Sequence, residues 1–186
     1  ARPGAMAAVL GLGNAEVELA CAQGGIETHG TVVAANLNSP DQTVISGDPE
    51  SVRRAGELCQ AAGAKRVLPL KVSGAFHSPL MEPAVGGLRE ALSATRFGHP
   101  AFPVVANATA GFVESGTEAA DVLAAQLTSP VRWVDSMRRL AERYPDAQWL
   151  ELGPGGVLTG LLKRIVPDAT CVALGTASQL DAWMAA

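Results

Sequence analysis

Gly74 to Met81 reads GAFHSPLM and sets one histidine, His77, between a Gly-Ala-Phe lead-in and a Ser-Pro exit. Such flanks belong to loops rather than to the middle of a helix or strand. An imidazole can take a proton from a nucleophile and return it to a leaving group at neutral pH, so His77 is a candidate general base. A base of this kind needs a nucleophile beside it. The other histidines, His29 and His99, have no comparable surroundings and read as surface residues. Gln126, in AAQLTSPVRW, reads as a polar residue at a helix end, and Asn38, before Ser39-Pro40, as a turn former. Gly153-Pro154-Gly155 reads as a strand-to-helix turn; a phosphate cradle would call for Lys-Ser/Thr after the glycines, and none is present there.

The elements that would position these residues come from a chain of 186 residues, enough for one sizeable core. It is 48% hydrophobic and 17% charged, the balance of a globular protein. Fourteen Lys and Arg against eighteen Asp and Glu give a net charge of −4 with no basic stripe, which argues against nucleic acid as a partner. Cys21, Cys59 and Cys171 show no metal-binding spacing and read as reduced, mostly buried thiols of a cytoplasmic protein. No metal site is expected, and no apolar run reaches the length of a membrane span.

The first seventy or so residues parse as β-α-β-β-α-β. Ala5–Leu12 is a strand, and Asn14 caps a helix over Ala15–Gln23 that Gly24-Gly25 ends. Thr31–Leu37 and Gln42–Ser46 form a hairpin around Asn38-Ser39-Pro40-Asp41. Asp48 and Pro49 open a helix that Gly63 stops, and Arg66–Val72 is a last strand. This order is the ferredoxin-like arrangement, predicted as a four-stranded antiparallel sheet with two helices on one face over residues 5–71. Residues 72–186 alternate helices with strands. The helices are Pro79–Ala94, Glu118–Leu127, Val131–Arg143, Val157–Val166 and Ala177–Met184; the strands are Pro103–Ala106, Gln148–Leu152 and Thr170–Leu174. That alternation predicts a thin parallel α/β sheet.

The ordered set GAMAAVLGL, ANLNSPDQTVISG, GAFHSPLMEPA, QLTSPVRW and LELGPGGVLTGLLKR resembles malonyl-CoA:acyl carrier protein transacylases, and also the acyltransferase domains of polyketide synthases. The likeness runs through essentially the whole chain. It implies an α/β fold in which a ferredoxin-like subdomain, 5–71, precedes the C-terminal part of an α/β-hydrolase-like subdomain, 72–186. It further implies malonyl-CoA as substrate, acyl carrier protein as partner with its own phosphopantetheine, and no cofactor. By the same resemblance His77 is the base of a Ser-His pair and the main-chain carbonyl of Gln126 accepts its N–H. Asn38 then stands near the mouth of the active site. Phe76, next to the base, narrows the acyl pocket against an α-methyl branch, a discrimination of about 1–3 kcal/mol.

The chain departs from the family pattern in one respect: it holds no G-x-S-x-G, the strained turn that exposes the nucleophilic serine. Neither the arginine that pairs with the malonyl carboxylate nor the glutamine motif of the oxyanion hole has a counterpart, and Arg2 does not stand at the matching position. The resemblance is therefore to the C-terminal portion of the enzyme, with the serine on an N-terminal segment or another chain. A non-catalytic fragment that binds carrier protein or another partner is the alternative from a different class, and a fragment of a polyketide acyltransferase domain is a further one.

Overall fold

The computed structural model describes residues 3–185, so Arg2 lies outside them. The chain divides into two compact units, residues 1–136 and 137–186. The ferredoxin-like segment and the histidine loop both belong to the first.

That unit begins with β1 (Ala5–Leu10), α1 (Asn14–Thr28), β2 (Val32–Ser39), β3 (Gln42–Gly47), α2 (Pro49–Ala61) and β4 (Arg66–Pro69). The strands pair antiparallel throughout in the order β2-β3-β1-β4, as β-α-β-β-α-β connectivity requires when each helix returns the chain to the same face. Alternation along the strands divides the residues between two faces. Ala7 and Val9 of β1, Val32 and Ile45 pack with Val17, Ala20 and Cys21 of α1 and with Val52, Ala55 and Cys59 of α2. Met6, Ala35 and Val44 bury against one another on the other face. Val9, Val17 and Ile45 are fully buried, and each such side chain contributes about 1.5–3 kcal/mol by leaving water.

Three local expectations are corrected. Asn14 does not cap α1: Gly13 holds that position, and the Asn14 carboxamide accepts a hydrogen bond from Thr43 Oγ1 at 2.8 Å. Nor does α1 end at Gly24-Gly25; it runs to Thr28 and closes on His29 in the left-handed conformation. Gly24 is there for packing. A Cβ at that position would stand 2.9 Å from the Ala55 nitrogen, so only glycine lets α1 and α2 approach this closely. The same seam carries Thr28 Oγ1 to Ser51 Oγ at 2.7 Å and an ion pair between Arg54 and Glu27. The hairpin turn shortens to Pro40-Asp41, with irregularities in β2 between Ala34 and Asn36 and between Leu37 and Ser39.

The unit continues with a 3₁₀ turn at Pro79–Met81, α3 (Glu82–Ser93), β5 (Val104–Ala106), β6 (Gly111–Val113) and α4 (Gly116–Gln126), and closes within α5 (Trp133–Arg143). Here the parallel three-stranded sheet is corrected. β5 pairs antiparallel with β6, a three-residue strand too short to announce itself by period. The second unit holds β7 (Trp149–Leu152), α6 (Val157–Ile165), β8 (Cys171–Leu174) and α7 (Ala177–Met184). β7 and β8 pair in parallel around α6, a right-sized crossover unit. Among the described residues no helix is long and apolar enough to cross a membrane.

Candidate active site

His77 sits in the loop between β4 and the 3₁₀ turn, and neighbours fix that loop from two sides. Gly4 runs against it so closely that a Cβ there would meet the Ala75 nitrogen at 2.2 Å. Ser78, fully buried, donates from Oγ to the Ala75 carbonyl at 2.7 Å and accepts from the Leu80 amide at 3.3 Å. Between them His77 takes a left-handed backbone, φ 58°. Its side chain is half-buried, neither locked in the core nor free in water.

The imidazole meets the end of α4. Nδ1 lies 3.0 Å from the Gln126 carbonyl oxygen and 3.3 Å from Gln126 Nε2. A carbonyl can only accept, while Gln126 Nε2, which gives one of its two N–H groups to the Ser129 carbonyl at 2.8 Å, makes the longer contact with the ring. The shorter contact therefore puts the proton on Nδ1, which leaves Nε2 with the free lone pair. The segment after Gln126 holds it in turn. The Val131 amide donates to the Ala35 carbonyl at 2.8 Å and the Leu37 amide to the Val131 carbonyl at 2.9 Å, a parallel bridge beside Asn36. The Arg132 amide donates to the Asn107 carbonyl at 3.0 Å. The acceptor is thus tied to the ferredoxin-like sheet.

Of the four residues singled out in the sequence, the structure brings His77 and Gln126 into contact. Asn38 stands half-buried in β2 at its second irregularity, one residue beyond the Leu37 amide that holds Val131. Phe76 is 44% exposed, with its ring tip 3.1 Å from where a Gly74 Cβ would be. It lines a groove of about 490 Å³ with Pro79, Leu80, Met81 and Pro83, and His77 is not among the lining residues. Two polar residues escaped the sequence reading. One is Ser78, whose signal was a Ser-Pro helix start. The other is Glu151 in the second unit. Its carboxylate accepts from the Leu158 and Thr159 amides at 3.0 and 2.7 Å and from the Thr159 hydroxyl at 2.6 Å, capping α6, whose own N-cap is Gly156. The hydroxyl bond first, then the amide bonds, hold the Glu151 carboxyl below the usual carboxylate range. A helix opening on glycine without a capping side chain was the clue. Gly153–Gly156 forms the strand-to-helix turn expected there. Among the described residues no three His, Cys, Asp or Glu side chains gather into a group that could hold a metal.

An imidazole protonated on Nδ1 against a backbone carbonyl keeps its lone pair on Nε2 and can take up and return a proton there. Comparison with known proteins bears on which reaction would use it. Residues 1–178 match the acyl transferase domain family. The chain is 44% identical over 180 residues to the malonyl CoA-acyl carrier protein transacylase of Escherichia coli strain K12, covering 96% of this chain and 57% of that protein. Its fold superposes on the acyl-carrier-protein S-malonyltransferase of Burkholderia pseudomallei 1710b with a TM-score of 0.93 at 38% identity, over 99% of this chain and 59% of that one. It also superposes on a malonyl-transacylase solved in complex with its type II polyketide acyl-carrier protein, with a TM-score of 0.91 at 42% identity and the same coverage. The chain therefore spans a little over half the length of the relatives it matches.

Proposed function

Because this chain belongs to the acyl transferase domain family, we propose that it carries the base of a malonyl transfer reaction, from malonyl-CoA to the phosphopantetheine thiol of an acyl carrier protein. The observation that carries the reading is the 3.0 Å contact between His77 Nδ1 and the Gln126 carbonyl, which supports a ring with Nε2 free to take a proton. The serine belongs to a G-x-S-x-G segment outside this sequence. In the first half-reaction the serine hydroxyl attacks the malonyl thioester and gives its proton to His77 Nε2. The C–S bond breaks, and coenzyme A leaves with that proton as a free thiol. In the second, the phosphopantetheine thiol gives its proton to Nε2 and attacks the malonyl-serine ester. The C–O bond breaks and the serine oxygen recovers the proton. Every step is proton and acyl exchange, so the chemistry calls for no cofactor. The named relatives, one of them bound to an acyl-carrier protein, support the choice of substrate and partner.

Intact mass is the first test. This chain incubated with malonyl-CoA should gain no malonyl group, and an adduct on one of its own serines would overturn the assignment of the nucleophile to another segment. The second test joins the chain to the N-terminal portion of the Escherichia coli relative and measures malonyl transfer. His77→Ala should then lower kcat by about 10²–10⁴ with little change in KM for malonyl-CoA. Turnover near that of the unsubstituted fusion would remove His77 from the chemistry. A fusion that binds carrier protein but never transfers would favour the non-catalytic reading.

A further inference from the structure

His77 is a non-glycine residue in the left-handed region, φ 58°, a conformation that disfavours such residues and persists only where neighbours enforce it. The enforcing group is the adjacent hydroxyl. Ser78 Oγ spans the histidine, reaching back to the Ala75 carbonyl at 2.7 Å and receiving the Leu80 amide at 3.3 Å. It is fully buried, so neither bond exchanges with water. Ala75 is itself 3% exposed and pressed by Gly4, so the clip is anchored at its upstream end. We propose that Ser78 is a positioning residue for His77: its hydroxyl clips the loop on both sides of the histidine and so keeps the imidazole on the Gln126 carbonyl with the proton on Nδ1. As a statement about activity this rests on His77 being the base, but the clip itself is a property of this chain alone.

Among the described residues Ser78 is the buried hydroxyl of this loop. Ser73 and Gly74 line the open groove, and the Phe76 side chain is 44% exposed, so neither grips the backbone as a buried hydroxyl does. Without the clip, Ala75–Leu80 can relax toward φ below zero, the ring swings off the carbonyl, and the Nε2–H tautomer grows at the expense of Nδ1–H. A serine that only filled space would leave the tautomer alone.

Long-range ¹H–¹⁵N correlation spectra of the full chain read the tautomer of each of its three histidines, and His29 and His99 serve as references in the same sample. In Ser78→Ala the His77 Nδ1–H to Nε2–H ratio should fall about fivefold, the change equivalent to losing one ordinary hydrogen bond of about 1 kcal/mol, while His29 and His99 stay as they were. Ser51→Ala, which removes another buried hydroxyl far from the loop, should leave His77 unchanged whatever it does to Tm. Should Ser78→Ala not fold, Ser78→Cys keeps the volume with a poor hydrogen-bonding group and is read the same way. A lowered Tm with the His77 tautomer as in the wild type overturns the proposal. In the fusion enzyme Ser78→Ala should lower kcat and spare KM. If His77→Ala leaves turnover intact, the catalytic reading fails while the tautomer result still stands or falls on its own.

Discussion

Phe76 carries the specificity expectation, and its placement sharpens the test. A ring 44% exposed and resting on Gly74 contributes little to the core, so Phe76→Ser should fold normally. In the fusion enzyme the ratio of kcat/KM for methylmalonyl-CoA over malonyl-CoA should rise by about 5–150-fold, the range that one extra methyl commands in an apolar pocket. An unchanged ratio would mean that the groove beside Phe76 is not where the acyl branch sits. The two buried cysteines permit a prediction free of catalysis. Burial pushes the Cys21 thiol up to about 12, helped by the nearby Cys59 and Glu18, and pushes Cys59 up to about 11. In the unfolded chain both ionise near 9.0. Their contribution is thus fully present below pH 9 and lost as pH rises, by about 1.4 kcal/mol per pH unit for each thiol until the folded-state values are reached. Chemical denaturation between pH 8.5 and 10.5 should show this fall, with a shallower slope in Cys59→Ala. Equal slopes would mean that the thiols are not shielded.

At the scale of elements the helix pair makes the most discriminating prediction. Alanine for glycine inside a helix ordinarily adds about 0.5–1 kcal/mol. Gly86 in α3 has nothing within 4 Å of its would-be Cβ, so Gly86→Ala should raise stability by that amount. Gly24→Ala should lower it by about 1–3 kcal/mol, because the new methyl meets the Ala55 backbone and the seam must open. Urea unfolding of the two variants should give opposite signs; two stabilisations would mean that α1 and α2 can part without cost. Loss of the Glu151 cap works through charge. A carboxyl held below its ordinary range stabilises above the unfolded value of 4.5 and ceases to do so as pH falls through the folded value. Glu151→Ala should therefore lower Tm more at pH 7 than at pH 3, and an equal loss at both would point to packing. These same elements show where sequence reading succeeds. β1 to β3 announce themselves because Ala5–Leu10 is an apolar run and Val32–Leu37 and Gln42–Gly47 are β-branched runs bounded by turn residues. Gly24-Gly25 misled because local propensity cannot see Ala55 across the seam. β6 is three residues long, and no periodicity survives that length. His77 was legible as a base candidate from its flanks, but its acceptor is a backbone atom. A carbonyl leaves no mark on the residue type that carries it, so Gln126 could be reached only through resemblance.

For the whole molecule, two buried apolar clusters among the described residues draw on residues 5–67, while α3 and α7 bury no residue completely. The second unit leaves Leu152, Val157 and Met184 about 70% exposed, and in the first Leu68, Leu70 and Val72 stand alternately along the approach to the histidine loop. Surface of this kind accords with a chain that spans a little over half of its relatives' length. The chain alone should bind a hydrophobic dye, and the fusion to the relative's N-terminal portion should suppress that binding; equal dye binding would mean that the exposed residues meet no partner there.

The bridge between Val131 and β2 also has a consequence in time. The hairpin and the β1–β3 pair close shorter loops, whereas the Leu37 amide finds its acceptor only when a segment from far downstream arrives, and His77 waits for Gln126, 49 positions later. Contacts of long separation form late, because the entropy of closing the intervening chain is spent before any of them is rewarded. During refolding under a pulse of deuterium, the amides of β3 should become protected before that of Leu37. On a ribosome the imidazole cannot meet its acceptor until Gln126 has emerged, and that acceptor is not tied to the sheet until Val131 has followed.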